Sequence, residues 1–172
     1  RNPDKEKIKS LKPAFKDDGT VTAATSSPFS IGASAMLITS EKYAKENGLK
    51  IRAYIEGRAV AGVNWTMFGS GPIPATAKAL KNTGLSMDDI DVVEINEAFA
   101  AQALYCIRKA DWDESKVNLN GGAIALGHPL GISGTRIITT LLNILEQQDK
   151  ATGLATMCVG TGQGITTIIK RG

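Results

Sequence analysis

Short apolar segments alternate along this chain with longer segments in which apolar residues recur at helical spacing. The predicted strands are 50–63, 90–95, 117–120, 153–158 and 165–169, and the predicted helices are 41–46, 72–82, 97–108 and 132–148. Strands that alternate with helices in this way are typical of an α/β layered domain. A glycine-rich turn joins the last two strands, which predicts a mixed sheet with an antiparallel edge.

The first forty residues are less regular. Residues 1–19 form a charged lead-in segment, and residues 20–24 have the composition of a strand that Thr25-Ser26-Ser27-Pro28 interrupts. Residues 32–39 are a short apolar run that fits a buried strand, although the small residues at its start also suit a helix. The N-terminus is charged and polar, and it has the pattern of neither a signal peptide nor a transit peptide.

Composition narrows the class of function. With 172 residues, 42% of them hydrophobic, the chain is long enough to bury a core. The net charge is +3, and the lysines and arginines are scattered along the chain. Aromatic residues are few, so we expect no surface that binds nucleic acid. No apolar run approaches the roughly 20 residues of a membrane span. The two cysteines, Cys106 and Cys158, form neither a disulfide framework nor a metal motif, and free thiols suit a reducing intracellular compartment.

The only histidine, His128, lies between Gly127 and Pro129 in a segment that is rich in glycine. Glycine permits close backbone approach, and proline restricts the residue before it. The arrangement indicates a histidine held in a defined position. It is equally compatible with a tight turn in which the histidine is incidental.

Three polar residue types fall at the carboxyl ends of predicted strands, where ligands bind in open α/β sheets. Asn96 follows one strand, His128 follows another and its loop, and Cys158 ends a third. Asn96 could donate to a carbonyl or simply cap the next helix, and Cys158 could move a proton or be a buried structural thiol. Gly160 and Gly162 could expose N–H groups to an oxyanion or only form a hairpin turn.

These segments resemble the thiolases, the acyl-CoA C-acyltransferases. The C-terminal half of that family carries three ordered blocks, which stand here as Asn96-Glu97-Ala98-Phe99, Gly127-His128-Pro129 and Cys158-Val159-Gly160-Thr161-Gly162. The resemblance extends from about Leu11 to Ile169. It implies a thiolase-like C-terminal half over 1–172, with a mixed five-stranded sheet and helices on both faces.

The resemblance also implies roles for individual residues. His128 would activate a cysteine nucleophile, Asn96 would hold a water at the thioester oxygen, and Cys158 would move the α-proton of the acetyl group. Gly160 would donate its N–H to the oxyanion of the acylated nucleophile. Ser27 is the best match for the serine that contacts the CoA pantetheine, and Phe99 is assigned to the CoA contact with it.

Two departures from the family pattern matter. The nucleophilic cysteine of thiolases belongs to a Cys-x-Ser-Gly block of the N-terminal half, and no such block occurs here. We therefore expect the N-terminal domain to be a separate part of the enzyme and the isolated chain to be inactive. In the early loop Thr25 stands where the family has Asn, and Ile31 where it has Asp, so the assignment of Ser27 rests on a loop that differs from the family pattern.

The resemblance implies an enzyme that cleaves or makes 3-ketoacyl-CoA, with acetoacetyl-CoA as the expected substrate and no tightly bound cofactor. Expected partners are acyl-CoA, the thiolase N-terminal domain and further copies in a homo-oligomer, with no nucleic acid and no membrane. Cytoplasm, mitochondrion and peroxisome all fit. Two alternatives are a noncatalytic binding or assembly module with this fold, and a ketoacyl synthase, which typically uses a different set of partner residues.

Overall fold

A computed structural model describes residues 2–172 and contains six helices and four strands within them. The helices are α1 Lys5–Ser10, α2 Glu41–Glu46, α3 Pro72–Thr83, α4 Ala100–Lys109, α5 Ala123–Leu126 and α6 Ser133–Gln147. The strands are β1 Ala53–Gly62, β2 Val92–Ile95, β3 Thr152–Val159 and β4 Gln163–Arg171. Short 3₁₀ turns occupy Ala23–Thr25, Trp65–Ser70, Met87–Asp89 and Glu114–Lys116.

The four strands form one mixed sheet in the order β1-β4-β3-β2. β2 and β3 are parallel, and β4 is antiparallel to both β3 and β1. The predicted α/β class and mixed sheet are confirmed. The antiparallel edge is β1 rather than the last strand, because β4 lies between β1 and β3.

The predicted fifth strand, 117–120, is wrong. In the described part of the chain this segment makes only an isolated bridge between Val117 and Val93. The next residue, Asn118, adopts a positive φ of 48°, and its side chain pairs with the backbone N–H and C=O of Ile95 at 2.8 and 2.9 Å. Those side-chain bonds take the place of strand pairing, so the chain turns away from the sheet.

Residues 20–24 and 32–39 also form no strand in the structure of residues 2–172. The first segment contains a 3₁₀ turn, and the second is irregular. Apolar side chains around the second segment, among them Phe29, Ile31 and Leu37, are exposed. The composition of this segment is typical of a strand, but no strand within residues 2–172 pairs with it.

Helices cover both faces of the sheet, as predicted. α3 and α4 pack on one face around Ile90, Ile95 and Leu154. α6 packs on the opposite face, where Ile137 and Leu141 contact Val92. Successive residues of a strand point to opposite faces, so β2 contributes side chains to both layers.

Local sequence signals explain several helix boundaries. The Ser40 side chain accepts from the Tyr43 N–H at the start of α2, and Ser86 and Asp89 form a capping box at the 3₁₀ turn Met87–Asp89. α4 begins at Ala100 after Phe99, three residues later than predicted. Asn96 therefore does not cap this helix. No helix among residues 2–172 has the length and apolar character that crossing a membrane requires.

Candidate active site

Asn96 and Cys158 lie at the same end of the sheet, on neighbouring strands. β2 and β3 run parallel with Ile95 beside Thr156, and the Asn96 N–H donates to the Thr156 carbonyl at 3.0 Å. Cys158 is two residues further along β3. Parallel register brings the carboxyl ends of the two strands together, at the position where ligands bind in α/β sheets.

His128 reaches this strand end from the glycine-rich segment between α5 and α6. Gly127 adopts a φ of 102°, a conformation that favours glycine, and turns the chain out of α5. The ring Nε2 of His128 then lies 3.2 Å from the Nδ2 of Asn96. The structure thus brings together the predicted asparagine and histidine.

A serine fixes the other side of the ring. The Ser133 Oγ lies 2.6 Å from the His128 Nδ1 and donates its single proton to the Pro129 carbonyl at 3.0 Å. The Asn96 amide nitrogen can only donate, so it faces an unprotonated Nε2, and the neutral ring then carries its proton on Nδ1, where the Ser133 hydroxyl accepts it. Nε2 is left as the basic nitrogen, and it faces Asn96.

The surroundings of His128 favour the neutral ring. Burial lowers the pKa of His128 below its ordinary value of 6.5, and the nearby positive charge of Arg136 lowers this pKa further. At neutral pH the imidazole is therefore uncharged. In the neutral ring the Nε2 lone pair, which faces the Asn96 Nδ2, is the atom that can accept a proton from a thiol or hydroxyl.

Glu97 anchors the glycine-rich segment next to Asn96. Its carboxylate accepts from the Asn118 side chain at 3.0 Å and from the Ile124 N–H at 3.2 Å. A Cβ on Gly122 would overlap this carboxylate, so a side chain at this position would displace Glu97 from its two hydrogen bonds. The role of Glu97 was not predicted, although the residue belongs to the Asn96 block.

A second pair that sequence reasoning missed lies behind His128. Glu94 is fully buried in β2, and its carboxylate is 3.6 Å from the guanidinium of Arg136 on α6. Burial raises the pKa of Glu94 to about 7, against the opposing attraction of Arg136 and with a small contribution from Glu97. A charged residue inside the apolar run 90–95 was the signal that could have revealed this pair.

Ser133 was also missed. It begins α6 and is fully buried, yet in the sequence it is one serine among glycines and apolar residues. Its significance depends on the turn at Pro129 that folds the chain back onto the His128 ring. Sequence spacing alone gives no sign of that turn's direction.

Cys158 is buried, and burial raises the pKa of its thiol. Gly160 follows in the exposed turn that connects β3 to β4, where Thr161 and Gly162 have positive φ. A Cβ on Gly160 would meet no atom within 4 Å, so a side chain at this position would point into open space. The segment forms the hairpin turn between β3 and β4, and Gly160 is exposed in it.

Ser27 and Phe99 meet where the early loop contacts the end of the Asn96 block. The Ser27 N–H and Oγ both donate to the Ala98 carbonyl, at 3.0 and 3.2 Å, and Ser26 forms a β-bridge with Phe99. The Phe99 ring packs edge-on against Phe15 and Phe68. The early loop is thereby attached next to the asparagine.

The arrangement combines a neutral base, an amide donor and a protonated thiol at one end of the sheet. Within residues 2–172 no cluster of three or more His, Cys, Asp or Glu side chains could hold a metal ion. These groups are suited to proton transfer and to stabilising negative charge on a carbonyl oxygen. The assigned roles of the six predicted residues stay predictions.

Comparisons with known families agree with this picture. Residues 49–171 match the family described as "Thiolase, C-terminal domain", and residues 1–42 match "Thiolase, N-terminal domain". The site residues Asn96, His128, Cys158 and Gly160 fall in the first match, and Ser27 falls in the second.

Curated relatives include 3-ketoacyl-CoA thiolases of Vibrio parahaemolyticus serotype O3:K6 and Vibrio cholerae serotype O1. The first is 59% identical over 170 residues, which are 96% of this chain and 44% of the relative. The second is 61% identical over 165 residues, which are 94% and 43%. The chain therefore spans less than half the length of these relatives.

Solved structures of similar fold include human mitochondrial 3-ketoacyl-CoA thiolase, with a TM-score of 0.95 and 47% identity over 97% of this chain and 42% of that chain. The Bacillus anthracis acetyl-CoA acetyltransferase gives a TM-score of 0.94 and 44% identity over 96% of this chain and 42% of that chain. With a family match over more than half of its residues, this chain belongs to the thiolase family.

Proposed function

We propose that this chain provides the C-terminal domain of an acyl-CoA C-acyltransferase that cleaves 3-ketoacyl-CoA with CoA or runs the reverse Claisen condensation. In cleavage, CoA and 3-ketoacyl-CoA give acetyl-CoA and an acyl-CoA that is two carbons shorter. The observation that carries the proposal is the 3.2 Å contact between Asn96 and His128 beside the strand end that holds Cys158.

In this proposal His128 is the base that activates a nucleophilic cysteine from a part of the enzyme outside this chain. The Nδ1–H bond to Ser133 leaves Nε2 unprotonated, and Nε2 would take the thiol proton in exchange for its contact with Asn96. The lowered pKa keeps the ring unprotonated at neutral pH, as a base requires. Asn96 would orient the water that, with the ring, stabilises the thioester oxyanion.

Cys158 would exchange the α-proton of the acetyl group. Its raised pKa keeps the thiol protonated at rest, which suits the cleavage direction, where the departing acetyl carbanion must receive a proton. Condensation reverses this step, and the thiolate then removes the α-proton. Gly160 would donate its backbone N–H to the second oxyanion, and its position in the exposed turn two residues after Cys158 supports this role.

We assign Ser27 and Phe99 to the CoA contact. Ser27 bonds to Ala98 of the Asn96 block and Phe99 ends that block, and CoA occurs in a human mitochondrial thiolase structure of the same fold. No tightly bound cofactor is needed for the proposed reaction. Acetoacetyl-CoA is the proposed substrate, and a reducing compartment is proposed because both cysteines are free.

The remainder of the thiolase N-terminal domain is the proposed structural partner. Residues 1–42 match that domain, and within them Phe29, Ile31, Leu37 and Ile38 expose apolar side chains. Such a patch marks an interaction surface. The chain alone would be inactive because it lacks the Cys-x-Ser-Gly block, and the whole enzyme is proposed to be a homo-oligomer.

A hybrid enzyme tests the proposal. In it, this chain replaces the 170 matched residues of the Vibrio parahaemolyticus relative. We expect the hybrid to cleave acetoacetyl-CoA in the presence of CoA, and the isolated chain to show no turnover. Cys158→Ala should reduce the rate by about 10²- to 10⁴-fold, the usual contribution of a proton-transfer group. The matched control is Cys106→Ala, which removes the other buried thiol and should keep most of the activity.

One result would favour the noncatalytic alternative. If the hybrid folds with the melting temperature of the parent enzyme and yet cleaves no 3-ketoacyl-CoA, the chain is a binding or assembly module. Activity only with acyl carrier protein substrates in place of CoA esters would indicate a ketoacyl synthase.

A further inference from the structure

The contacts between β2 and α6 form successive layers that run away from the active-site end of the sheet. In the first layer, Asn96 on the strand side and Ser133 on the helix side hold the two nitrogens of the His128 ring. In the second layer, Glu94 faces Arg136. The third layer is apolar and contains Val92, Ile137 and Leu141.

Regular geometry places these layers directly behind one another. Every second residue of a strand points to the same face, so Val92, Glu94 and Asn96 share one face. Neighbours in this series are about 6–7 Å apart. Ser133 and Arg136 are three positions apart on α6, which puts them on the same side of the helix. The charged pair therefore spans the same two elements as the His128 contacts, one step deeper.

Stability alone does not account for a charged pair in this position. Glu94 is fully buried and Arg136 is 19% exposed, and none of their four terminal oxygen and Nη atoms has a hydrogen-bond partner within residues 2–172. Removing two charges from water costs free energy, and the attraction across a 3.6 Å contact without a hydrogen bond offsets only part of that cost. An apolar pair, like those in the next layer, would pack the same space at lower cost.

The pair also affects the ring electrostatically. Arg136 is the nearby cation that disfavours the imidazolium form of His128. Glu94 partly offsets the charge of Arg136, as does Glu97 from the segment that follows β2. Glu94, Arg136 and Glu97 are the charged groups named by these interactions between the ring, β2 and α6.

We propose that Glu94 and Arg136 are positioning residues for His128, which fix the spacing of β2 and α6 behind the ring and keep a positive charge beside it. The catalytic meaning of this inference rests on the proposed role of His128 as the base. The geometric claim concerns the ring itself and can be tested without turnover.

The chain has a single histidine, so a ¹⁵N NMR titration of the imidazole reports His128 alone. For Arg136→Gln we expect the pKa of His128 to rise by about half a unit or more, because a neighbouring cation is lost. For Glu94→Gln we expect a small inflection near pH 7 in the ring shifts of the wild type to disappear, because that inflection reports ionisation of Glu94. Both variants should lower the share of the Nδ1–H tautomer at alkaline pH.

The matched control is Glu146→Gln. Glu146 lies on α6, like Arg136, and the change removes its exposed ion pair with Arg52. It should leave the titration and the tautomer of His128 unchanged. If Arg136→Gln does not fold, Arg136→Lys keeps the charge but not the planar group, and it should change the tautomer share while keeping the pKa near that of the wild type.

Ring titrations of Glu94→Gln and of the folded Arg136 variant that coincide with the wild type would overturn the inference, and the pair would then serve packing alone. Because these measurements need no substrate, an inactive hybrid enzyme would count against the proposed function only. The two failures are therefore distinguishable.

Discussion

The His128 Nε2 and the Asn96 Nδ2 lie 3.2 Å apart, although 32 positions separate the two residues along the chain. Two different structural units supply them. Asn96 is fixed by the end of a buried parallel strand, and His128 is held by a turn that Ser133 and Pro129 close. The contact therefore depends on the packing of α6 against β2.

Replacing Asn96 by Asp should raise the pKa of His128. A carboxylate beside Nε2 favours the imidazolium form, and an opposite charge at this distance typically shifts a pKa by about 1 unit or more. The measurement is the ¹⁵N titration of the single histidine. Asn47→Asp, at the exposed end of α2, is the control and should leave the ring unaffected. An unchanged pKa in Asn96→Asp would mean that the two side chains are not in contact in solution.

Replacing Gly122 by Ala should destabilise the protein. The backbone of Gly122 has an ordinary negative φ of −126°, so the cost comes from the new Cβ, which would push the Glu97 carboxylate away from its bonds to Asn118 and Ile124. We expect the free energy of unfolding to fall by about 1–3 kcal/mol, the usual range for overpacking. Chemical denaturation gives this value.

Gly131→Ala is the matched control for this change. Gly131 belongs to the same segment, and an added Cβ would meet no atom within 4 Å. Its free energy of unfolding should stay close to that of the wild type. Equal losses for both alanine variants would show that Glu97 does not approach Gly122 in solution.

Both cysteines should react slowly with iodoacetamide at neutral pH. Burial raises the pKa of each thiol, that of Cys106 to about 11, and the thiolate is the reactive form. We expect the alkylation rate to keep rising above pH 9, with Cys158 modified before Cys106 because it is slightly more accessible. Peptide mass spectrometry at timed intervals identifies the order. Rapid alkylation of Cys158 at pH 7 would contradict the burial and raised pKa.

Glu94 should make stability fall as pH rises. Its pKa of about 7 in the folded chain lies above the ordinary 4.5, so the folded state binds the proton more tightly between these values. The tighter proton binding stabilises the folded state fully below about pH 4.5. This contribution to the free energy of unfolding, at most roughly 3 kcal/mol, is lost as pH rises through 7. Between pH 5 and 8 the free energy of unfolding of the wild type should therefore fall relative to that of Glu94→Gln. Parallel curves for the two proteins would contradict the raised pKa.

The elements predicted well are those with local signals. α2 has a serine cap and an Asn-Gly end, and β3 and β4 are apolar runs around a glycine turn, so each is recognisable within its own residues. The strand predicted at 117–120 failed because Asn118 bonds the Ile95 backbone with its side chain. That interaction is long-range and leaves no periodic pattern.

The candidate site shows the same division. Asn96 and Cys158 could be singled out because they lie at the ends of strands that the structure contains. His128 could be singled out because it is the only histidine and lies between Gly127 and Pro129, although the strand 117–120 that was expected to lead to it does not form. Ser133 and Arg136 could not, because their roles come from the face of α6 that packs on β2. The periodicity of a helix predicts which side is apolar, but it does not say which strand that side meets.

The attachment of Ser27 to the Ala98 carbonyl has a consequence for recombination between thiolases. Residues 1–42 match one domain and residues 49–171 the other, but Ser26 and Ser27 bond the segment that follows Asn96. A crossover placed between the two matched regions would combine an early loop and a 96–99 block that did not evolve together. We expect chimeras to fold best when both of these segments come from the same parent. The segment that has to be exchanged as one unit is therefore longer than either family match.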